Sequence, residues 1–99
     1  MTGKLIYHAI VTRFSDDEYV AHYSSSGIDV FESGKTLTEA ISKLQNILEF
    51  TLCNLIENGK KLPPIADEEK LKLLESNKLE NNYIVTISAD ITKKAVSLR

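Results

Sequence analysis

Residues 36–59 read TLTEAISKLQNILEFTLCNLIENG, and the fold follows from how this stretch must be buried. Leu37, Ala40, Ile41, Leu44, Ile47, Leu48, Leu52 and Leu55 recur at steps of three and four, which lines them along one side of a helix. Thr36 stands as the N-cap, and Glu39 is placed to reach back to the free N–H of Thr36 in a capping box. Gly59 ends the helix, because a residue without Cβ takes the left-handed C-cap conformation at little cost. Pro63 and Pro64 bar its continuation. At its full extent such a helix is about 33 Å long, enough to cross a small sheet, and the remaining segments supply that sheet.

Residues 4–14, KLIYHAIVTRF, are rich in β-branched and aromatic types that suit a pleated surface. Leu5, Tyr7, Ala9 and Val11 fall on one parity, and Ile6, Ile10 and Phe14 on the other. That predicts a central strand covered at least partly on both faces. Residues 15–18, SDDE, form a polar turn, and residues 19–24, YVAHYS, return as a hairpin strand. A second turn over residues 24–27 leads to a short third strand over residues 28–33, IDVFES. Past the long helix, KKLPPI is an extended connector. Residues 67–77, DEEKLKLLESN, read as a short second helix capped by Asp67, with a thin apolar side of Leu71, Leu74 and Leu73. Such a helix needs something to dock on. Asn81 and Asn82 make a turn, and residues 83–91, YIVTISADI, alternate as a half-buried strand.

Three strands joined by short turns run antiparallel, whereas a strand returning after a long crossover is free to lie parallel to the first. The expectation is an α+β two-layer domain, with a four-stranded mixed sheet in the order 3-2-1-4 and the long helix on one face. All of residues 1–99 belong to one domain, with residues 67–79 as an inserted short helix and residues 92–99 as a tail.

Hydrophobic content of 42% and charged content of 26% are those of an ordinary globular protein. A net charge of -2 offers no basic surplus for nucleic acid, so none is expected as a direct partner. The single cysteine allows no internal disulfide and fits a reducing compartment. No signal-peptide pattern opens the chain, and no apolar run approaches the roughly 20 residues a membrane span needs. The expected location is the cytoplasm.

With this order of elements the chain resembles the HicB-like antitoxin family. The residues that carry the resemblance are FSDDEY at 14–19, VFESG at 30–34, TLTEA at 36–40 opening the long helix, and NGKKLP at 58–63 leaving it, followed by a closing strand. The resemblance implies a partial RNase H-like fold. It also implies a non-catalytic function: binding a small basic HicA-type mRNA interferase toxin and masking its active site. Many family members add a C-terminal DNA-binding module. Only eight residues follow Ile91 here, so promoter binding by this chain is not expected. The alternatives are a self-assembling regulatory or structural module without a toxin, and a small RNase H-like hydrolase.

A two-metal nuclease needs several converging carboxylates, and residues 4–14 contain none; Asp90 and Glu39 have no partner on that strand. His8, His22 and Cys53 include no close-spaced ligand pair of the kind zinc sites use. No catalytic, cofactor or metal residues are therefore assigned. On a helical projection Phe50 and Cys53 fall about 120° or more from the centre of the apolar stripe. They are expected to meet Leu71, Leu74 and Leu79 or a partner. Asp16, Asp17, Glu18, Asp29 and Glu32 form an acidic rim suited to a basic toxin. These five, with Phe50 and Cys53, are the candidate partner-binding residues. Strands three and four are open edges, and strand four is expected to join copies of the chain in a homo-oligomer.

Overall fold

The computed structural model describes residues 4–25, 27–64, 68–76 and 81–90. The elements run β1 (Lys4–Ser15), β2 (Glu18–Ser25), β3 (Ile28–Gly34), α1 (Leu37–Glu57), α2 (Glu68–Ser76) and β4 (Asn82–Asp90). The four strands form one sheet in the order β3-β2-β1-β4, with β1 interior, as the pattern of apolar residues predicts. Helix α1 packs across one face in two layers.

One expectation is overturned. β4 pairs with β1 antiparallel, from Lys4↔Asp90 to Thr12↔Asn82, so the sheet is antiparallel throughout and not mixed. The register gives the reason. Gly34 lies opposite Tyr19, and Tyr19 opposite Arg13, so α1 starts at the end of the sheet where β1 finishes. Asn82 enters at that same end, and the Arg13 N–H donates to the Asn81 carbonyl at 2.9 Å. The chain therefore leaves α1 at one end of the sheet and enters β4 at the other. A direct return from α1 would have made β4 parallel.

The core lies between α1 and the sheet. Tyr7, Ala9 and Val11 of β1, Ala21 and Tyr23 of β2, Ile28 of β3, and Ile87 and Ala89 of β4 meet Ala40, Leu44, Leu48, Leu52 and Cys53. Tyr7 and Tyr23 stack edge to face, 5.3 Å between ring centres, an arrangement the ring quadrupoles favour. The Tyr7 hydroxyl donates to the Pro63 carbonyl at 3.2 Å, which ties the connector to β1. Burial, with a smaller contribution from Tyr23, pushes the Tyr7 phenol up to about 12. The opposite parity of β1 is less covered than expected. Ile10 is half-buried, whereas Ile6 is 41% and Phe14 64% exposed.

The ends of α1 are closed by local chemistry. Thr36 Oγ1 accepts from the Glu39 N–H at 3.1 Å, as an N-cap should. The return bond differs from the expected box: Glu39 Oε1 accepts from the Lys35 N–H at 3.1 Å, one residue earlier. At the other end Gly59 has φ +67°, the Lys60 N–H reaches the Leu55 carbonyl at 2.8 Å, and the Gly59 N–H reaches Ile56 at 3.1 Å. This is a Schellman closure. Gly34 sets the angle between β3 and α1: a Cβ there would stand 2.7 Å from the Ala40 nitrogen and 3.0 Å from Glu39.

Two predictions follow from this packing. Gly34→Ala must push the first turn of α1 off the end of β3, and should cost about 1–3 kcal/mol in urea unfolding. Because the folded Tyr7 phenol titrates above an unfolded value of about 10, its contribution is complete below that pH. It is lost as pH rises towards about 12. The urea midpoint should fall across that window, and Tyr7→Phe should flatten the fall.

Candidate functional site

The two flanks of α1 meet the two edges of the sheet differently. On the β4 side, Gln45 Nε2 donates to the Ser88 carbonyl at 3.0 Å, and Glu49 Oε2 accepts from the Asp90 N–H at 2.6 Å. Glu49 is the one charged side chain buried among the described residues; a charge-assisted bond to a main-chain donor offsets part of its desolvation. In an antiparallel ladder the N–H and C=O of one residue point to the same side. The groups of Ser88 and Asp90 bonded to α1 thus point away from β1, along the outer edge of β4.

On the β3 side the flank is open. A cleft of about 410 Å³ runs between the β1–β2 turn, the end of β3 and the first turns of α1, lined by Asp17, Glu18, Ser33, Gly34, Lys35, Glu39 and Lys43. Beside it a groove of about 370 Å³ is lined by Glu32, Lys43, Asn46, Ile47 and Phe50. Lys43 borders both, so they form one seam. Its charged residues are four carboxylates (Asp17, Glu18, Glu32 and Glu39) against two lysines (Lys35 and Lys43). Lys43 Nζ stands 3.7 Å from Glu39 Oε1 and offsets that carboxylate in part. The seam is polar and net acidic in the cleft, and turns partly apolar in the groove, where Ile47 lies beside Phe50, 47% exposed.

The structure divides the residues expected to bind a partner. Asp17, Glu18, Glu32 and Phe50 share the seam. Asp16 sits at the tip of the turn, held by Arg13. Asp29 lies on the opposite face of the sheet, its Oδ1 2.5 Å from His22 Nε2. Cys53 departs from expectation outright: it is fully buried in the core. The buried arc of α1 is rotated towards β4, taking in Glu49 and Cys53, while Leu62 packs on the same core and Pro63 is buried. A projection that weighs apolar residues alone places the arc elsewhere. Leucines of α2 do not line the groove at Phe50: Leu71 and Leu74 are half-buried and Leu73 is exposed. Leu79 lies outside the described residues. The sequence reading missed Lys43 and Ile47. Their positions seven and three residues before Phe50 on the helix were the available signal.

His8 and His22 lie on the sheet face away from α1, and Cys53 is buried in α1 on the other side, so the sheet separates them. His8 Nδ1 and the Thr86 hydroxyl are 3.4 Å apart across the β1–β4 pair. No described group of three or more His, Cys, Asp or Glu side chains is placed to hold a metal ion. No described helix is long and apolar enough to cross a membrane. The seam's chemistry is that of a contact surface: it can receive a cationic side chain at the rim and an apolar one beside Phe50. Cys53 should resist thiol reagents until the protein unfolds, and Phe50→Ala should change stability by no more than about 1 kcal/mol. Thiol labelling followed through urea unfolding reads both.

No family model matches the sequence, and no curated protein matches it significantly. Among solved structures the chain is similar to one described as "Toxin-Antitoxin complex from Streptococcus pneumoniae", with a TM-score of 0.74. The match covers 93% of this chain and 73% of that chain at 19% sequence identity. At that identity the likeness shows a shared fold.

Proposed function

We propose that this protein is a non-catalytic antitoxin of the HicB-like type, acting in the cytoplasm. Its partner is a small basic mRNA interferase of the HicA type, and it acts by covering that enzyme's RNA-cleaving surface. The observation that carries this reading is the fold shared with a chain of a toxin–antitoxin complex across nearly the whole length of this one. The acidic seam supports it, with Asp17 and Glu18 in the cleft at the start of α1 and Glu32 beside Phe50 in the adjoining groove. A protein that grips RNA presents cations, and a surface of opposite sign speeds docking and competes for the same groups. Masking requires no chemistry from the antitoxin, only a fitted surface in place of substrate.

A pull-down from the source cell should recover a basic protein of under about 100 residues, the size of one small domain. That protein should cleave RNA alone and stop when this chain is added. Failure to recover such a protein, or cleavage that continues at saturating antitoxin, would overturn the reading. Replacing Asp17, Glu18 and Glu32 together with lysine should weaken the complex by about tenfold or more, mainly through a slower on-rate that loses its salt dependence.

A further inference from the structure

The two edges of the sheet differ in what they offer another strand. Pairing along the far half of β4 would have to displace Gln45 from Ser88 and Glu49 from Asp90, stranding a buried carboxylate without its donor. The edge of β3 carries no such cover: none of the side-chain hydrogen bonds of the described residues reaches the main chain of residues 28–33. Ser25 pairs with Ile28 across a two-residue connection, which makes that pair doubly hydrogen-bonded. Counting along the ladder, Val30, Glu32 and Gly34 direct their main-chain groups to β2, and Asp29, Phe31 and Ser33 direct theirs outward.

We propose that β3 is a self-association edge, on which a second copy of this chain adds its own β3 antiparallel about a two-fold axis at Phe31. The register is self-complementary. Phe31 faces the second copy's Phe31, and Asp29 faces the second copy's Ser33, so no like charges stand directly opposite and aromatic rings meet at the centre. Three such pairs close about six main-chain hydrogen bonds. Phe31, 66% exposed in the single chain, becomes covered. The row Phe31–His22–Ile10–Ile84, which crosses all four strands by register, then continues across the axis into the second copy. On the other face Val30 of each copy lies opposite Glu32 of its neighbour, beside the groove floored by Ile47 and Phe50. This pairing does not depend on a toxin, although a toxin seated at Glu32 and Phe50 would compete with it.

The test is sedimentation equilibrium of the full chain alone, with no toxin present. The wild-type protein should be dimeric. Phe31→Lys, which sets two cations face to face on the axis, should weaken self-association by about tenfold or more. Thr86→Lys, on an exposed position of β4, should leave it unchanged. Circular dichroism and a urea midpoint check that both variants fold. Phe31→Cys should give a disulfide-linked dimer under mild oxidation, which no merely structural role of Phe31 would produce. A wild-type chain that stays monomeric to about 1 mM, a dimer indifferent to Phe31→Lys, or one abolished by Thr86→Lys would each overturn the proposal. A dimer that behaves as stated, in a protein that binds no toxin, would uphold this inference and sink only the proposed function.

Discussion

The close approach of Gly34 to Ala40 decides where everything else lies. With no side chain at Gly34, the first turn of α1 seats directly on the end of β3, and the helix leaves at an angle that lays Ala40, Leu44, Leu48 and Leu52 along the sheet. Given that placement, one flank of α1 must fall over β4 and the other over β3. The polar residues Gln45 and Glu49 occupy the first flank, and Lys43, Ile47 and Phe50 the second. The same contact brings Lys35 and Glu39 beside the β1–β2 turn, and so forms the acidic cleft. Core, edge and seam are three results of one contact between a strand end and a helix start.

Much of this was legible in the residues. The three-and-four spacing in α1 and the alternation in β4 record which side is buried, because burial selects apolar side chains at those periods. The strand order followed from connection lengths and from the apolar character of β1. The direction of β4 was not legible. It depends on how far residues 58–81 travel, and travel leaves no periodic mark in a sequence. The burial of Glu49 was hidden for a related reason. A glutamate on a helix reads as a solvated position until the strand end whose N–H it accepts is in place. Cys53 was misplaced by the same projection, which treats the sheet as the only cover and leaves out Leu62 and Pro63.

The candidate surface was half legible. Asp17 and Glu18 meet the start of α1, and Glu32 and Phe50 line the adjoining groove further along it, the two joined at Lys43. Asp29 did not join them, since strand parity sends it through to the other face, where it meets His22. Sign and hydrophobicity can be read from letters, but which face they share is decided by register.

A sheet sealed along half of one margin has a property that no single contact describes. Fibrils grow because each added unit leaves a fresh free strand for the next. Here Gln45 and Glu49 occupy the far half of one margin, so a unit joined at the opposite margin presents no equivalent strand for a third. Two polar side chains on a helix thus narrow that margin to the short stretch before Ser88, too little for a full-length strand to pair along. Growth strand upon strand is disfavoured along that stretch of a sheet whose face away from α1 carries exposed Ile6, Phe14 and Phe31.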